Sequence, residues 1–255
     1  MKLRGIFVFL VTASLLAGCV PAQQGPQTAA AVPNFVFTPP STAPIKTNMS
    51  IGILKAEPLG NLWVEQITLQ PGLPNQSTVT RPRMYVDQLL SSAQKDMEKI
   101  LVAKGFPTAG TYPTLDEMTY SEKQRAVLIL RPTFEVNANV VRQGYGSGQT
   151  ATVSGTVTLE MIEPVTREKI WLKRLTLEPF TKVLPAKPVD FGSLFSVPPQ
   201  TNDTQIQDNS LILLLNTFYA TAMQKVWDHL DPQEIGDLKR QVDEVRKNST
   251  HTAHP

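Results

Sequence analysis

Thr152-Val153-Ser154-Gly155-Thr156-Val157-Thr158-Leu159-Glu160-Met161 is the stretch from which the fold can be read. Val153, Gly155, Val157, Leu159 and Met161 alternate with Thr152, Ser154, Thr156, Thr158 and Glu160. Successive side chains of a strand point to opposite faces, so this spacing predicts a strand with one dry and one wet face. Pro164-Val165-Thr166-Arg167 then turns the chain, and Lys169 to Leu177 reads as its antiparallel partner. Upstream, Ala126 to Leu130 is a near-continuous apolar run, the pattern of a strand covered on both faces. Pro132 removes one ladder donor, so Thr133 to Val141 is either an edge or a continuation past a break.

Working outward, Ser50 to Ala56 reads as a mostly buried strand stopped near Pro58, and Leu62 to Leu69 as a weaker extended stretch. Pro71, Gly72, Pro74 and Asn75 mark a surface connection. From Met84 to Lys104, Val86, Leu89, Leu90, Ala93, Met97, Ile100 and Leu101 recur at three and four, the stripe of an amphipathic helix laid on a sheet. Gly105 supplies the left-handed geometry that closes it. Asn209 is placed to cap another helix, with Leu211, Leu214, Leu215, Phe218, Ala222, Val226 and Leu230 on its core face. Asp231-Pro232-Gln233-Glu234 is a restart signal with an N-cap acid, a proline at the first helical position and a glutamate to complete a capping box. The tail helix carries a thin stripe, Ile235, Leu238, Val242 and Val245, either folded back on the domain or offered to a neighbouring chain. The pattern predicts an α/β fold: a mixed, largely antiparallel sheet of about 4–6 strands layered with amphipathic helices, plus a charged C-terminal helix. The α/β domain spans 47–230, the C-terminal helix 231–248, and a disordered tail 249–255.

The N-terminus follows other rules. Lys2 and Arg4 precede an apolar run from Ile6 to Leu16, shorter than the roughly 20 residues of a spanning helix, so 1–18 reads as a signal peptide. Leu16-Ala17-Gly18-Cys19 resembles the bacterial lipobox, in which the cysteine is acylated and becomes the new N-terminus; the bland alternative is an ordinary secretory signal with an incidental buried cysteine. That resemblance implies covalent lipid on Cys19 and cleavage after Gly18. It also implies the outer membrane, because Val20 stands where an aspartate retains such proteins in the inner one. Loss of Lys2 and Arg4 leaves 22 of the 24 basic residues against 22 acidic ones, so the mature chain has no long-range field for nucleic acid or anionic lipid head groups. With its single cysteine modified, no disulfide is available.

Residues 19–46 form an acylated, proline-rich tether, with prolines at 21, 26, 33, 39, 40 and 44. In polyproline form it spans on the order of 80 Å, and roughly 30 Å if coiled. Phe35-Val36-Phe37 interrupts its polar run, either to dock on a partner or to pack on the chain's own domain. Prolines 179, 185, 188, 198 and 199 make a long irregular excursion around Phe180, Phe191 and Phe195. A loop of that length is often functional, so partner contact by Phe191 and Phe195 stands beside packing over the sheet.

Catalytic signals are weak. His229 lies near a helix end, His251 and His254 lie in the tail, and no metal-ligand spacing accompanies them. Gly144 to Gly148 offers Gly-x-Gly-x-Gly between strands with no helix to aim amides at a phosphate, and reads as a mobile hairpin loop. Glu160 and Glu163 fall on the wet face or at turns, where solvated surface is the default. Nothing here points to an enzyme, a metal or a cofactor beyond the lipid.

The helix end Glu98-Lys99-Ile100-Leu101-Val102-Ala103-Lys104-Gly105-Phe106, the strand Val127 to Pro132, Thr158-Leu159-Glu160-Met161-Ile162-Glu163-Pro164 with Thr166 and Glu168, and Leu215-Asn216-Thr217-Phe218-Tyr219-Ala220-Thr221-Ala222-Met223-Gln224 follow one another in order. Together they resemble the neuraminyllactose-binding hemagglutinin-like (HpaA-type) lipoproteins from Ser50 to Asn248. The resemblance implies a mixed sheet layered with helices. The sugar-binding claim for that family rests on a lysine-rich motif after the strand corresponding to Val127–Pro132, where Thr133 to Thr150 offers only Arg142. Similar lipoproteins occur in the outer-membrane core of Dot/Icm-type type IV secretion machines. The expected role is therefore a structural or adaptor subunit of an envelope complex, periplasm-facing and partnered by other envelope proteins. A surface adhesin is the alternative.

Overall fold

The computed structural model describes residues 32–41, 46–59, 64–69, 76–80, 83–143, 149–184 and 201–252. Leu16, Ala17, Gly18, Cys19, the Gly144 to Gly148 loop, Phe191 and Phe195 lie outside them. The elements are β1 (Ile51–Leu54), β2 (Glu57–Pro58), β3 (Val64–Leu69), β4 (Gln76–Thr80), α1 (Arg83–Ala103), β5 (Thr108–Tyr112), α2 (Tyr120–Arg125), β6 (Leu128–Gln143), β7 (Gln149–Ile162), β8 (Lys169–Leu184), α3 (Thr201–His229) and α4 (Pro232–Thr252).

All strands join one mixed sheet organised around β6. Along one side β7 pairs antiparallel, from Ile129↔Ile162 to Arg142↔Gln149, and β8 pairs antiparallel beyond it. Along the other side three short parallel strands follow in series: β1 against Leu128–Leu130, β2 against Thr133 and Phe134, and β3 against Ala138–Gln143. β5 flanks β1 in parallel and β4 flanks β3 antiparallel. The fold is the mixed α/β sheet with layered helices that the sequence pattern predicts. Its eight strands exceed the expected number because β2, β4 and β5 are short and lack an apolar alternation.

Pro132 lies between the stretch of β6 that pairs with β1, ending at Leu130, and the stretch that pairs with β2, beginning at Thr133, so its missing donor falls at a break in the parallel pairing. Thr133 to Val141 is thus a continuation of the strand, the second of the two readings.

Val153, Val157, Leu159 and Met161 are buried on the dry face of β7, as their alternation requires. Phe218, Ala222 and Val226 of α3 are buried in the same core, with Leu89, Ala93, Met97 and Ile100 of α1. A smaller cluster of Leu54, Ala109, Tyr112, Met118, Ala126 and Ile129 gathers separately. α1 ends as expected: Gly105 takes a φ of 91°, its N–H donates to Val102 O at 3.0 Å, and Phe106 N–H donates to Leu101 O at 3.0 Å. That pair of bonds is the Schellman closure, and the accompanying apolar contact has buried Phe106 and Leu101 to make it.

Three boundaries differ from expectation, one being the end of α4, which runs to Thr252 and takes in residues read as tail. α3 starts at Thr201, so Asn209 lies inside the helix rather than at its cap. The apolar stripe from which the start was read marks where the helix becomes buried, and the polar turns before it carry no periodic signal. β8 runs on to Leu184, which places Pro179 and Phe180 in a strand rather than in the irregular excursion. The register shifts between Val153 and Gly155, opposite Pro179, so the proline occupies an irregularity of a strand that, among the described residues, pairs with β7 alone. Among the described residues no helix is long and apolar enough to cross a membrane.

Candidate functional site

Residues 32–41, within the stretch read as tether, form an extended strap. Phe35 and Phe37 are buried at 4% and 8% exposure, whereas Val36 between them is 60% exposed. An extended chain alternates its side chains, so two aromatics enter the core and the residue between them faces out. Asn34 N–H donates to Asn216 Oδ1 of α3 at 2.9 Å, and Phe37 N–H donates to Asp96 Oδ2 of α1 at 2.7 Å. The Phe35 ring lies 5.4 Å from that of Tyr219, tilted by 52°. Of the two readings of Phe35-Val36-Phe37, the structure shows Phe35 and Phe37 packed on the chain's own domain.

Asp96 organises this strap. Its carboxylate is 2% exposed and also accepts Tyr219 Oη–H at 2.7 Å and Lys99 Nζ–H at 2.7 Å. A buried carboxylate is tolerable only when hydrogen-bonded and charge-compensated, and here three donors from three parts of the chain meet it. Burial pushes the Tyr219 phenol well above its ordinary value, and its hydrogen bond to the Asp96 carboxylate and that group's charge push it further. Tyr219 therefore stays a neutral donor. Downstream, Thr47 pins the chain again, through its N–H and hydroxyl to Gly105 O at 3.0 and 3.1 Å.

A second latch holds α4. Glu163, in the β7–β8 turn, has no exposure at all. It accepts Thr166 Oγ1–H at 2.9 Å and Arg246 Nε–H at 2.7 Å, while Arg246 Nη2 donates to Ala126 O at 2.8 Å. The expectation of a solvated carboxylate at this turn is overturned, because α4 folds over it and supplies the compensating guanidinium. Ile235, Leu238 and Val242 are buried in the core, so the tail helix folds back on the domain. At its start, Gln233 N–H donates to Asp231 Oδ1 at 3.0 Å, whereas Glu234, expected to complete a capping box, accepts Trp171 Nε1–H at 2.7 Å.

Glu160, on the wet face of β7, pairs with Arg131 and with Lys169. Burial alone would raise its carboxyl, but hydrogen bonds and charge from Lys169 and Arg131 outweigh that and hold it below the usual range. Lys104 lies 4.1 Å from the Trp227 ring centroid. Burial lowers its ammonium, against the opposing charges of Asp231 and Asp228.

Among the described residues every buried side-chain nitrogen and oxygen atom has a hydrogen-bond partner. No group of three or more His, Cys, Asp or Glu side chains among them is placed to hold a metal ion. Asp96, Asn216, Tyr219 and Arg246 were not singled out from the sequence. The available signal was Asp96 itself, an acid three residues after Ala93 and one before Met97 on the core-facing stripe of α1.

No family model matches the chain, and no curated protein does. Among solved structures, it is similar to a neuraminyllactose-binding hemagglutinin homolog from Helicobacter pylori, with a TM-score of 0.55 and 14% identity over 81% of this chain and 98% of that one. A protein of the DUF330 family from Xanthomonas campestris matches 80% of this chain and 97% of its own, at 10% identity and a TM-score of 0.39. The first likeness establishes a shared fold.

Proposed function

We propose that this chain is a non-catalytic outer-membrane lipoprotein, anchored through acyl chains on Cys19 after cleavage at Leu16-Ala17-Gly18, and acting as a structural or adaptor subunit of an envelope complex. The setting it fits best is the outer-membrane core of a Dot/Icm-type type IV secretion machine. The observation that carries the non-catalytic reading is the use made of the two buried carboxylates. Asp96 and Glu163 each hold a distant segment of the chain in place, through Phe37 N–H and Arg246, instead of converging on an open cleft. Partner contact then falls to Val36, which is exposed, and to Phe191 and Phe195, which lie outside the described residues.

Affinity purification from envelopes in mild detergent tests this reading. A machine subunit brings a fixed set of envelope proteins in constant ratio, and recovery of the chain alone overturns the adaptor role. Intact-mass analysis of the mature chain tests the anchor, which fails if Cys19 carries no acyl group. The alternative, a surface adhesin, is favoured by the fold shared with the hemagglutinin homolog. Protease added to intact cells separates the two, since an adhesin is cut from outside and a periplasm-facing subunit is protected.

A further inference from the structure

We infer that the outer edge of β8, around Leu172 and Arg174, is a docking site for an extended, acidic segment of another protein. Thr176 O accepts from Lys225 Nζ at 2.7 Å, so the peptide groups of Thr176 point away from β7. Along an antiparallel strand every second residue shares that direction, and the register is unbroken from Met161↔Trp171 to Gly155↔Leu177. Leu172 and Arg174 therefore turn their N–H and C=O groups outward as well. Among the described residues β8 pairs with β7 alone, and no hydrogen bond serves those outward groups. A row of this kind is a template for one more strand.

The open stretch has definite ends. On one side Lys225 occupies the Thr176 carbonyl, and Pro179 beyond it has no N–H to offer. On the other side the register shifts between Met161 and Ile162. What lies between, Trp171 to Leu175, is matched by an added strand of about four or five residues. At its centre Leu172 is 60% exposed, an apolar side chain with Glu160 opposite it and Arg174 next along the same face.

Charge selects the occupant. Lys169, Lys173, Arg174 and Lys225 lie along this edge. Lys169 is paired with Glu160, and Arg174 reaches Glu135 at 3.5 Å. Among the described residues Lys173 and Lys225 have no carboxylate within ion-pair distance. The acids beside the open stretch are already engaged, Glu160 by Arg131 and Lys169, and Glu234 by Trp171 Nε1–H. Glu178 lies beyond the guarded carbonyl of Thr176. An acidic segment fits this surplus of cations. A second copy of the chain does not, because antiparallel pairing of two β8 edges centred on Lys173 would set lysine against lysine, and like charges directly opposite destabilise a sheet.

Fluorescence anisotropy of a labelled seven-residue peptide alternating valine with glutamate, titrated with the full mature chain in mild detergent, tests the edge. The peptide should bind, and its fully N-methylated form, which keeps the side chains but has no amide donors, should bind at least about tenfold more weakly. Lys173→Glu should weaken binding at least about tenfold, and a valine–lysine peptide should not bind. Leu172→Pro removes one outward N–H at a position where an edge strand accepts proline, so it should abolish binding with the circular dichroism of the fold retained. If that variant does not fold, Lys173→Glu and the methylated peptide decide. No change in anisotropy up to about 1 mM protein, or equal binding of the methylated or lysine peptide, overturns the docking site. Sedimentation that shows the chain pairing with itself through this edge, lost in Leu172→Pro, also overturns it and gives the edge to a second copy. The site rests on the adaptor reading only for the partner being an envelope protein: a failed peptide titration leaves that reading to the affinity purification, and a failed purification leaves the titration standing.

Discussion

Gly155 shows how much can hang on one missing methyl. A Cβ there would overlap the Glu135 carbonyl oxygen of the neighbouring strand and come within 3.0 Å of two ring carbons of Phe218. The nearest obstacle is backbone, which cannot swing away, so Gly155→Ala should destabilise the protein by about 2–3 kcal/mol, read as a lower urea midpoint at unchanged slope. Glu163 poses the opposite problem, a carboxylate that must keep its partner. Arg246→Met leaves it buried beside hydroxyl and amide donors alone and should cost about 3–5 kcal/mol. Adding Glu163→Gln to Arg246→Met should recover part of that loss, and a double-mutant cycle on urea stability that shows no coupling would contradict the latch. Glu160 gives a pH signature. Its folded-state carboxyl is held low by Lys169 and Arg131, net of burial, so its contribution is present above the unfolded value and fades as pH falls through the folded one. Stability below about pH 4.3 should therefore decline less steeply in Glu160→Gln than in the parent.

At the scale of elements, what was legible in the sequence was what repeats. The alternation of β7, the return strand β8 and the stripe of α1 each repeat a pattern over many residues, and each lies where the pattern puts it. β5 was hidden because Thr-Ala-Gly-Thr-Tyr has no period and carries Gly110 at a φ of 125°. Its burial comes from a Tyr112 ring seated against Gly110 and Gly52, a tertiary arrangement with no local trace. The strap was half legible, since Phe35-Val36-Phe37 stood out but only Asp96, Asn216 and Tyr219 say what it touches. Among the described residues β8 pairs with β7 alone, and its far side shows how such an edge is managed. Lys225 Nζ donates to Thr176 O at 2.7 Å, and Pro179 interrupts the donors further along. Covering an edge in this way blocks pairing with another chain. Lys225→Met combined with Pro179→Thr should raise the fraction of associated species in sedimentation at high concentration, and an unchanged monomer distribution would show that neither residue guards that edge.

Across the whole molecule, the two ends of the described chain are held down by buried carboxylates in unlike ways. The strap makes three backbone bonds to side chains and inserts two rings. α4 buries Ile235, Leu238 and Val242, binds Trp171 through Glu234 and neutralises Glu163 through Arg246. Phe35→Ala/Phe37→Ala removes two buried rings, a loss partly offset by the freed backbone entropy, so the net loss should stay within about 3 kcal/mol. At about 2–4 °C per kcal/mol for a body of this size, that lowers the melting midpoint by no more than roughly 12 °C. Ending the chain at Leu230 instead strips apolar cover from the core and leaves Glu163 without its cation, a combination that should cost more than the strap and broaden the transition. Calorimetry on both variants decides the point: a strap variant that falls as far as the truncation would mean that the strap is as much a part of the cooperative core as α4.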